Sequence, residues 1–241
     1  MDNWLDRSEL LIKEDGIKKL KNSNVLIVGM GGVGSFAAEF IVRAGVGKLT
    51  IVDGDDVDNT NRNRQLPAMK STVGKQKVDV MAERLKDINP ELELTVLDEF
   101  LNPERMMEVI SNDYDYVMDC IDSLTPKLNL LMAAKRKRVK VVSAMGAGGK
   151  TDPSKIVVTD ISKTYHDPLS RRVRKLLRAN GINKGIRVVF STESPDKDSM
   201  ELTDGTNFKK SFYGTISYMP ALFGLNAAAE VLRYLLDIRK D

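Results

Sequence analysis

The chain has 241 residues, of which 42% are hydrophobic, 29% charged and 6% aromatic, a composition that suits a globular protein with a sizeable core. A formal net charge of +3 is too small to identify a partner, and the single cysteine, Cys120, excludes an intramolecular disulfide or a zinc site made of several thiolates. The polar start, Met1 to Arg7, lacks a signal or transit pattern and no stretch reads as a membrane span, so a cytoplasmic protein without membrane insertion is expected.

In chain order, Asn24-Val-Leu-Ile-Val-Gly29 reads as a short buried strand that feeds a glycine turn. A helix to about Ala44 follows, with Phe36, Ala37, Phe40, Ile41 and Ala44 on its inner face. Leu49 to Asp53 is a second strand, and a helix starts near Lys75 with Val78, Met81, Leu85 and Ile88 at helical spacing. Glu91 to Leu97 alternates like a strand, a short helix follows Pro103, and Tyr114 to Ile121 is another buried strand. Ser123 or Thr125 can cap the next helix with Pro126 at its first position, and Lys140 to Ala144 closes the series.

Strands separated by helices predict an α/β fold of Rossmann type, a doubly wound and mostly parallel sheet with helices on both faces. After Gly149 the pattern changes to a strand near Ile156 to Asp160, a basic helix over Asp167 to Ala179 and a strand over Ile186 to Ser191. Ser194 to Lys210 is polar and aperiodic and reads as a mobile loop. The last segment, Ala221 to Leu236, reads as an amphipathic packing helix, in the core or at a subunit contact. Its polar face would carry Asn226, Glu230 and Arg233, and its apolar face Leu222, Leu225, Ala229, Leu232 and Leu236. No linker is visible, so one domain over 1–241 is expected, with a nucleotide-binding half at 1–150 and a variable substrate-side and dimerisation half at 151–241.

The chemistry concentrates around Gly29-Met-Gly31-Gly32-Val-Gly34. Glycines there permit the tight turn, and the following helix N-terminus supplies amides and partial positive charge to a phosphate. Asp53, ending the second strand, can hold ribose hydroxyls. Nicotinamide and flavin enzymes share that much. The next segment separates the readings: Asp53-Gly-Asp55-Asp56-Val-Asp58-Asn-Thr-Asn61-Arg62-Asn63-Arg64-Gln65, then Val73-Gly-Lys75-Gln-Lys77. A dehydrogenase needs no such cluster. Cleavage of ATP between its α- and β-phosphates does, because charge develops there, and Arg64 and Lys77 suit its neutralisation with Asn61 beside them. Asp119 and Asp122, at the carboxyl end of the fourth strand, can hold Mg²⁺ or order the loop over the phosphates.

These motifs together, Gly29-x-Gly-Gly-x-Gly, Asp53-x-Asp-x-Val, Asn61-x-x-Arg-Gln65, Gly74-Lys-x-Lys77 and Asp119-x-x-Asp122-Ser123, resemble the ThiF/MoeB/HesA superfamily, relatives of the ubiquitin-activating enzymes. The resemblance implies an adenylating enzyme using ATP and Mg²⁺, with nucleotide contacts at Gly29, Gly31, Gly32, Gly34, Asp53, Asp55, Asn61, Arg64, Gln65, Lys77, Asp122 and Ser123. It implies catalytic roles for Arg64, Lys77 and Asp122, the metal at Asp122, and an arginine, here Arg7, reaching across a homodimer into the partner's site.

Members that activate sulfur-carrier proteins carry paired Cys-x-x-Cys ligands and often a nucleophilic cysteine, whereas Cys120 lies within the strand Tyr116-Val-Met-Asp-Cys-Ile and reads as a core thiol. Gly146-Ala-Gly-Gly149 with Asp152-Pro, the run from Asp160 through His166-Asp167-Pro168, and Val189-Phe-Ser-Thr-Glu193 resemble instead the tRNA threonylcarbamoyladenosine dehydratase branch. That branch implies a tRNA substrate whose threonyl carboxylate is adenylated and then attacked by its own carbamoyl group. It also implies a cysteine-desulfurase or sulfur-acceptor partner. The basic runs Lys135–Arg138 and Arg171–Arg178 are either solvated helix faces or contacts to tRNA phosphates. His166, the only histidine, reads as a loop residue, and Ser191 and Glu193 as candidates for the substrate side of the crevice. The alternatives are activation of a ubiquitin-like sulfur carrier's C-terminus, a nicotinamide oxidoreductase, and a non-catalytic nucleotide sensor.

Overall fold

A computed structural model describes residues 3–202 and 211–238. A long first helix, α1 (Asp6–Asn22), leads into β1 (Asn24–Val28), α2 (Gly34–Arg43), β2 (Lys48–Val52), α3 (Lys77–Ile88) and β3 (Glu93–Leu97). Then come α4 (Pro103–Val109), β4 (Tyr116–Asp119), α5 (Leu124–Lys137) and β5 (Val141–Ala144). The last part contains β6 (Ile156–Asp160), α6 (Pro168–Ala179), β7 (Arg187–Ser191), β8 (Met200–Leu202), β9 (Ser211–Tyr213) and α7 (Tyr218–Leu235).

Seven strands form one sheet in the order β3-β2-β1-β4-β5-β7-β6. All neighbours run parallel except β6, which pairs antiparallel with β7 as an edge strand. The strands are almost continuously apolar because both faces are covered. Helices α2, α3 and α7 bury one face and α4, α5 and α6 the other. The order reverses between β1 and β4, which opens a crevice at the carboxyl ends of those two strands. The predicted α/β architecture is therefore the observed one. The strands on either side of residue 150 belong to the same sheet.

The helices differ from the reading of their apolar faces. In α7 the buried residues are Met219, Phe223, Gly224, Ala227, Ala228 and Val231, while Leu222 and Leu225 are half-buried and Ala229 is exposed. Of the expected apolar face, Leu232 and Leu236 pack against the core, whereas Leu222, Leu225 and Ala229 lie toward the outer surface, on the side of the subunit-contact alternative. The reason is the approach of α2: a methyl on Gly224 would lie 2.3 Å from the carbonyl oxygen of Val33, so only small side chains fit between the two helices. Glu230, expected on the polar face, is buried and receives Nε of Arg187 at 2.8 Å. Likewise α2 buries Ala37, Ala38, Ile41 and Val42, while Phe36 is half-buried and Phe40 exposed.

Other local features also differ. Pro126 is the third residue of α5, because Ser123 is the N-cap. Residues 197–199 form a short 3-10 turn and Met200–Leu202 pairs with Ser211–Tyr213, so this part of the expected mobile loop is a hairpin; 203–210 lie outside the described residues. And α1 contains an interruption at Lys13, with φ 63°, that the sequence reading left unassigned.

Candidate active site

The glycine turn joins β1 to α2 at the mouth of the crevice. Gly29 has φ 96° and a Cβ there would meet the Cys120 carbonyl oxygen at 2.9 Å; a Cβ on Gly34 would lie 1.7 Å from the carbonyl oxygen of Gly29. Both positions therefore require glycine. Gly31 keeps open room, with Nε2 of Gln65 at 3.6 Å from a built Cβ, and Gly32 meets Pro220 at 2.9 Å and the Arg64 carbonyl oxygen at 3.1 Å. Thus the start of α7 and the Arg64 loop both close on the turn. The N-cap of α2 is Val33, which offers no side-chain acceptor; the Ser35 amide donates to the Gly31 carbonyl oxygen at 3.2 Å, and the amides around it keep their capacity for a phosphate.

Asp53, just beyond β2, accepts the amide of Met30 at 2.6 Å through Oδ2 and that of Asp55 at 2.8 Å through Oδ1. It thereby ties the second strand to the glycine turn. Burial lifts its carboxyl above the usual carboxylate range against the pull of Lys77 and the two amides. Lys77, at the first position of α3, is only 4% exposed and its Nζ lies 2.7 Å from Oδ2 of Asp55. A buried ammonium held by one half-exposed carboxylate is available to exchange that partner for a phosphate.

The loop between β2 and α3 is shaped by a capping box. Asp58 accepts Thr60 N at 2.7 Å, and Asn61 accepts the amide of Asp58 at 3.2 Å. Asn61 therefore uses its side-chain oxygen internally and keeps its NH₂ for a ligand. The Asn61 carbonyl oxygen accepts from both Arg64 N and Gln65 N, which orients these two residues. Arg64 donates Nη1 to the Thr60 carbonyl oxygen at 2.9 Å and to Oδ1 of Asn63 at 2.7 Å, and Asn63 donates to the Thr215 carbonyl oxygen at 2.9 Å. Gln65 Oε1 is buried without a partner among the described residues.

On the β4 side, Asp119 and Lys127 are both fully buried, with Nζ 2.7 Å from Oδ2. Ser143 Oγ donates to the same oxygen at 2.6 Å, and Lys127 also donates to the Ala144 carbonyl oxygen at 2.9 Å. Oδ1 accepts Ile121 N at 3.1 Å. Of the two roles expected for Asp119, ordering the loop is the one its geometry permits; it cannot reach a metal in the crevice. Asp122 is exposed and accepts Ser123 Oγ at 3.3 Å. No group of three or more His, Cys, Asp or Glu that could hold a metal occurs among the described residues. An Mg²⁺ ion needs no such group, since it is bound by one or two carboxylates, substrate phosphates and water, and Asp122 fits that requirement.

Cys120 lies just past the end of β4 and is half-buried against the core, not the core thiol expected within the strand. Its surroundings, with the Asp119 carboxylate adjacent, push the thiol up to about 12, so it is not a thiolate nucleophile at neutral pH. Ser191 is fully buried and its Oγ accepts the Glu193 amide at 3.1 Å, while Glu193 accepts the amides of Thr151 and Asp152 at 3.1 and 2.9 Å. Both hold loops, and neither is free to line the substrate side as expected. Arg7 is exposed on the first turn of α1. The adjacent Leu5 packs on Gly45, past the far end of α2, which at ten residues is about 15 Å long. Arg7 thus starts from the opposite end of α2 to its own glycine turn.

Three features escaped the sequence reading. Phe100 is 66% exposed, and its Cδ2 would be 2.8 Å from a methyl on Gly54, the residue after Asp53. Its loop is locked by Glu99, which takes Nε and Nη2 of Arg105 at 3.1 and 2.9 Å, and by Asn102 capping α4. A buried pair, Lys150 Nζ to Asp167 Oδ2 at 2.7 Å, ties the Gly146–Gly149 loop to the N-cap of α6. And β9 closes on that loop, since a methyl on Gly148 would lie 2.9 Å from Cβ of Tyr213. The signal for Phe100 was a large aromatic in the connection between β3 and α4; the other two depend on distant chain segments.

Among the described residues no helix is long and apolar enough to cross a membrane. The model of the ThiF family matches residues 5–241. The chain is 48% identical over 248 residues to the tRNA threonylcarbamoyladenosine dehydratase of Bacillus subtilis, covering 100% of this chain and 96% of that protein. It superposes on Escherichia coli tRNA N6-threonylcarbamoyladenosine dehydratase in complex with ATP with a TM-score of 0.88 at 37% identity, covering 99% of this chain and 97% of that one. The AMP complex of the same enzyme gives a TM-score of 0.87, also at 37% identity with 99% and 97% covered.

Proposed function

The chain belongs to the ThiF family, and from that premise we propose that it is an ATP-dependent tRNA threonylcarbamoyladenosine dehydratase. The threonyl carboxylate of the modified adenosine attacks the α-phosphorus of ATP, releasing pyrophosphate and leaving an acyl adenylate. The carbamoyl group of the same nucleoside then attacks the activated carbonyl, AMP departs and a ring closes, for a net loss of one water. Intramolecular attack needs no enzymic nucleophile. The observation that carries this reading is an ATP-type crevice whose only nearby thiol, Cys120, is out of use, in a chain matched over its full length by dehydratases. The same full-length match favours the dehydratase over activation of a sulfur-carrier protein, whose adenylyltransferases match only about half of this chain.

The residue roles follow from chemistry. Gly29, Gly31, Gly32, Gly34 and the first amides of α2 hold phosphate oxygens, and Asp53 holds the ribose. Lys77 leaves Asp55, and Arg64 leaves the Thr60 carbonyl, to meet the charge that builds up between the α- and β-phosphates. Asn61 and Gln65 orient the nucleotide, and Asp122 with Ser123 holds Mg²⁺, which supplies Lewis-acid charge to the phosphates when bound. Phe100 forms one wall of the purine pocket, because its exposed ring stands on a locked loop beside the ribose carboxylate.

A homodimer in which Arg7 reaches the partner's site completes the arrangement. It is supported by the outer apolar surface of Phe36, Phe40, Leu222, Leu225 and Ala229, which α2 and α7 leave uncovered, and by Leu10 and Leu11 on α1 at 67% and 83% exposure. The chain acts as one adenylating domain over 1–241, working in the cytoplasm where tRNA is modified. A cysteine desulfurase or sulfur acceptor is its further partner. Arg171, Arg172, Lys175 and Arg178 are exposed along α6 and face tRNA phosphates, whereas Arg174 is held by Thr164.

Mass spectrometry of bulk tRNA incubated with ATP and the protein tests the reading. Threonylcarbamoyladenosine should lose one water, with AMP released. Unchanged nucleoside under conditions where ATP binds would refute it.

A further inference from the structure

Residues 164–167 form a tight loop between β6 and α6 at the rim of the crevice. Its two ends are tied down. The Asp167 amide donates to the Tyr165 carbonyl oxygen at 2.7 Å, and Arg174 grips Thr164 from beneath. Asp167 is 3% exposed, caps Ser170 N at 2.6 Å and pairs with the buried Lys150. Lys150 in turn donates to the Gly146 carbonyl oxygen at 2.7 Å, so the loop is continuous with the crevice floor.

Two aromatic rings stand out of this locked frame. Tyr165 is 51% exposed and packs edge-to-face on the buried Phe190, with ring centroids 5.6 Å apart, and on His166 at 5.0 Å. His166 is exposed, its Nδ1 is 3.3 Å from the Thr192 carbonyl oxygen, and its backbone has φ 59°. A non-glycine residue in that region costs on the order of 1 kcal/mol and persists where surrounding contacts impose it, as at ligand clamps. Directly after the rings begins α6, whose Arg171, Arg172, Lys175 and Arg178 are exposed.

We infer that Tyr165 and His166 form a stacking step for an unpaired nucleotide of the tRNA anticodon loop, with Arg171, Arg172 and Lys175 holding the phosphates that flank it. This rests on the dehydratase reading above. Rigid exposed aromatics followed by a track of cations match the chemistry of single-stranded RNA, whose bases can be splayed onto π faces. Paired RNA offers only phosphates and 2′-hydroxyls to such a rim. The nucleotide that reacts lies among unpaired neighbours, and the loop that carries the rings is joined to the crevice through Asp167, Lys150 and Gly146.

The test uses the full chain, ATP and modified tRNA, with KM and kcat measured over a range of salt. Tyr165→Ala should raise the tRNA KM by about 5- to 150-fold, the effect of one lost stacked base, with the ATP KM unchanged. Tyr165→Phe should stay within about threefold of the parent. The dependence of log KM on log salt should keep its slope in Tyr165→Ala and lose about one unit in Arg172→Ala, because only the latter removes a phosphate contact. His166→Gly, which relieves the backbone strain, should melt no lower than the parent yet bind tRNA more weakly. A tRNA KM within twofold of the parent in both Tyr165→Ala and His166→Gly would overturn the inference. So would a salt slope that falls in Tyr165→Ala as it does in Arg172→Ala, since the loop would then be an electrostatic contact to paired RNA. If the unaltered protein binds ATP but dehydrates no tRNA, it is the dehydratase reading that fails.

Discussion

Replacing Lys127 by Met removes the cation from the floor of the crevice while keeping its volume. In the native protein Lys127 and Asp119 are both fully buried, and Asp119 has Lys127, Ser143 and the Ile121 amide as partners. Breaking one half of such a pair costs about 3–5 kcal/mol, because a buried carboxylate is left without its counter-charge. For a chain of this size each kcal/mol lowers the thermal midpoint by roughly 2–4 °C, so a fall of about 6–20 °C is expected. The loss must also depend on pH. Burial already holds the Asp119 carboxyl above its ordinary 3.8, and Lys127 is the largest influence pulling it down. Without Lys127 the folded-state value rises further above the unfolded one. A carboxyl with a raised folded value binds its proton more tightly when folded, so stability declines as pH climbs from the unfolded value through the folded one. The deficit of the variant should therefore be smallest near pH 4 and grow toward pH 7. Calorimetric melts of both proteins across that range provide the measurement. A deficit below about 1 kcal/mol would show that the pair contributes little to the floor of the site, and a deficit that is the same at every pH would refute the role of the Asp119 carboxyl in it.

Arg64→Ala should lower kcat by about 10²-fold or more while leaving tRNA affinity within twofold, measured by single-turnover AMP release alongside filter binding. Phe100→Ala should raise the ATP KM by about tenfold at nearly constant kcat, and Phe100→Tyr should restore it; an ATP KM within twofold of the parent in Phe100→Ala would argue against a purine wall. Cys120→Ala should remain an active dehydratase, and the native thiol should resist alkylation at pH 8 in the folded state, as its value near 12 requires. Rapid labelling of the folded protein would contradict the raised value. Gly224→Val places carbon against the Val33 carbonyl oxygen, where a Cβ already sits at 2.3 Å, so α7 must move from α2 and the thermal midpoint should fall by several degrees.

The parts of the fold that were legible in the sequence are those set by local pattern. Each apolar run of β1, β2, β4 and β5 is bounded by turn residues, and a parallel sheet buried on both faces needs no alternation to be recognised. The glycine turn was legible for the same reason, since Gly29 and Gly34 answer to backbone constraints within a few residues. The approach of Arg64, Lys77 and Asp53 to one crevice was recognised as a motif. What brings Arg64 to the turn is a capping box at Asp58 and Asn61 that no periodicity reveals. Phe100, the Lys150–Asp167 pair and the β8–β9 hairpin were not legible, because each acquires its meaning from a partner many residues away.

The error in α7 and α2 has a single physical origin. Reading large apolar residues as the buried ones holds when a helix rests on a sheet alone, but here two helices also rest on each other. Close approach of their backbones selects Gly224, Ala227 and Ala228 on one side and Ala37 and Ala38 on the other. The leucines and phenylalanines are displaced to the outer surface, where Phe36, Phe40, Leu222 and Leu225 remain partly in contact with water. A surface of that kind is unfavourable for an isolated monomer and is removed by a second copy. Arg7 strengthens the same argument, because it lies at the far end of α2 from its own glycine turn. In the proposed dimer, the outward leucines of α7, read from the sequence as facing the core or a subunit contact, and Arg7 would meet the second copy together.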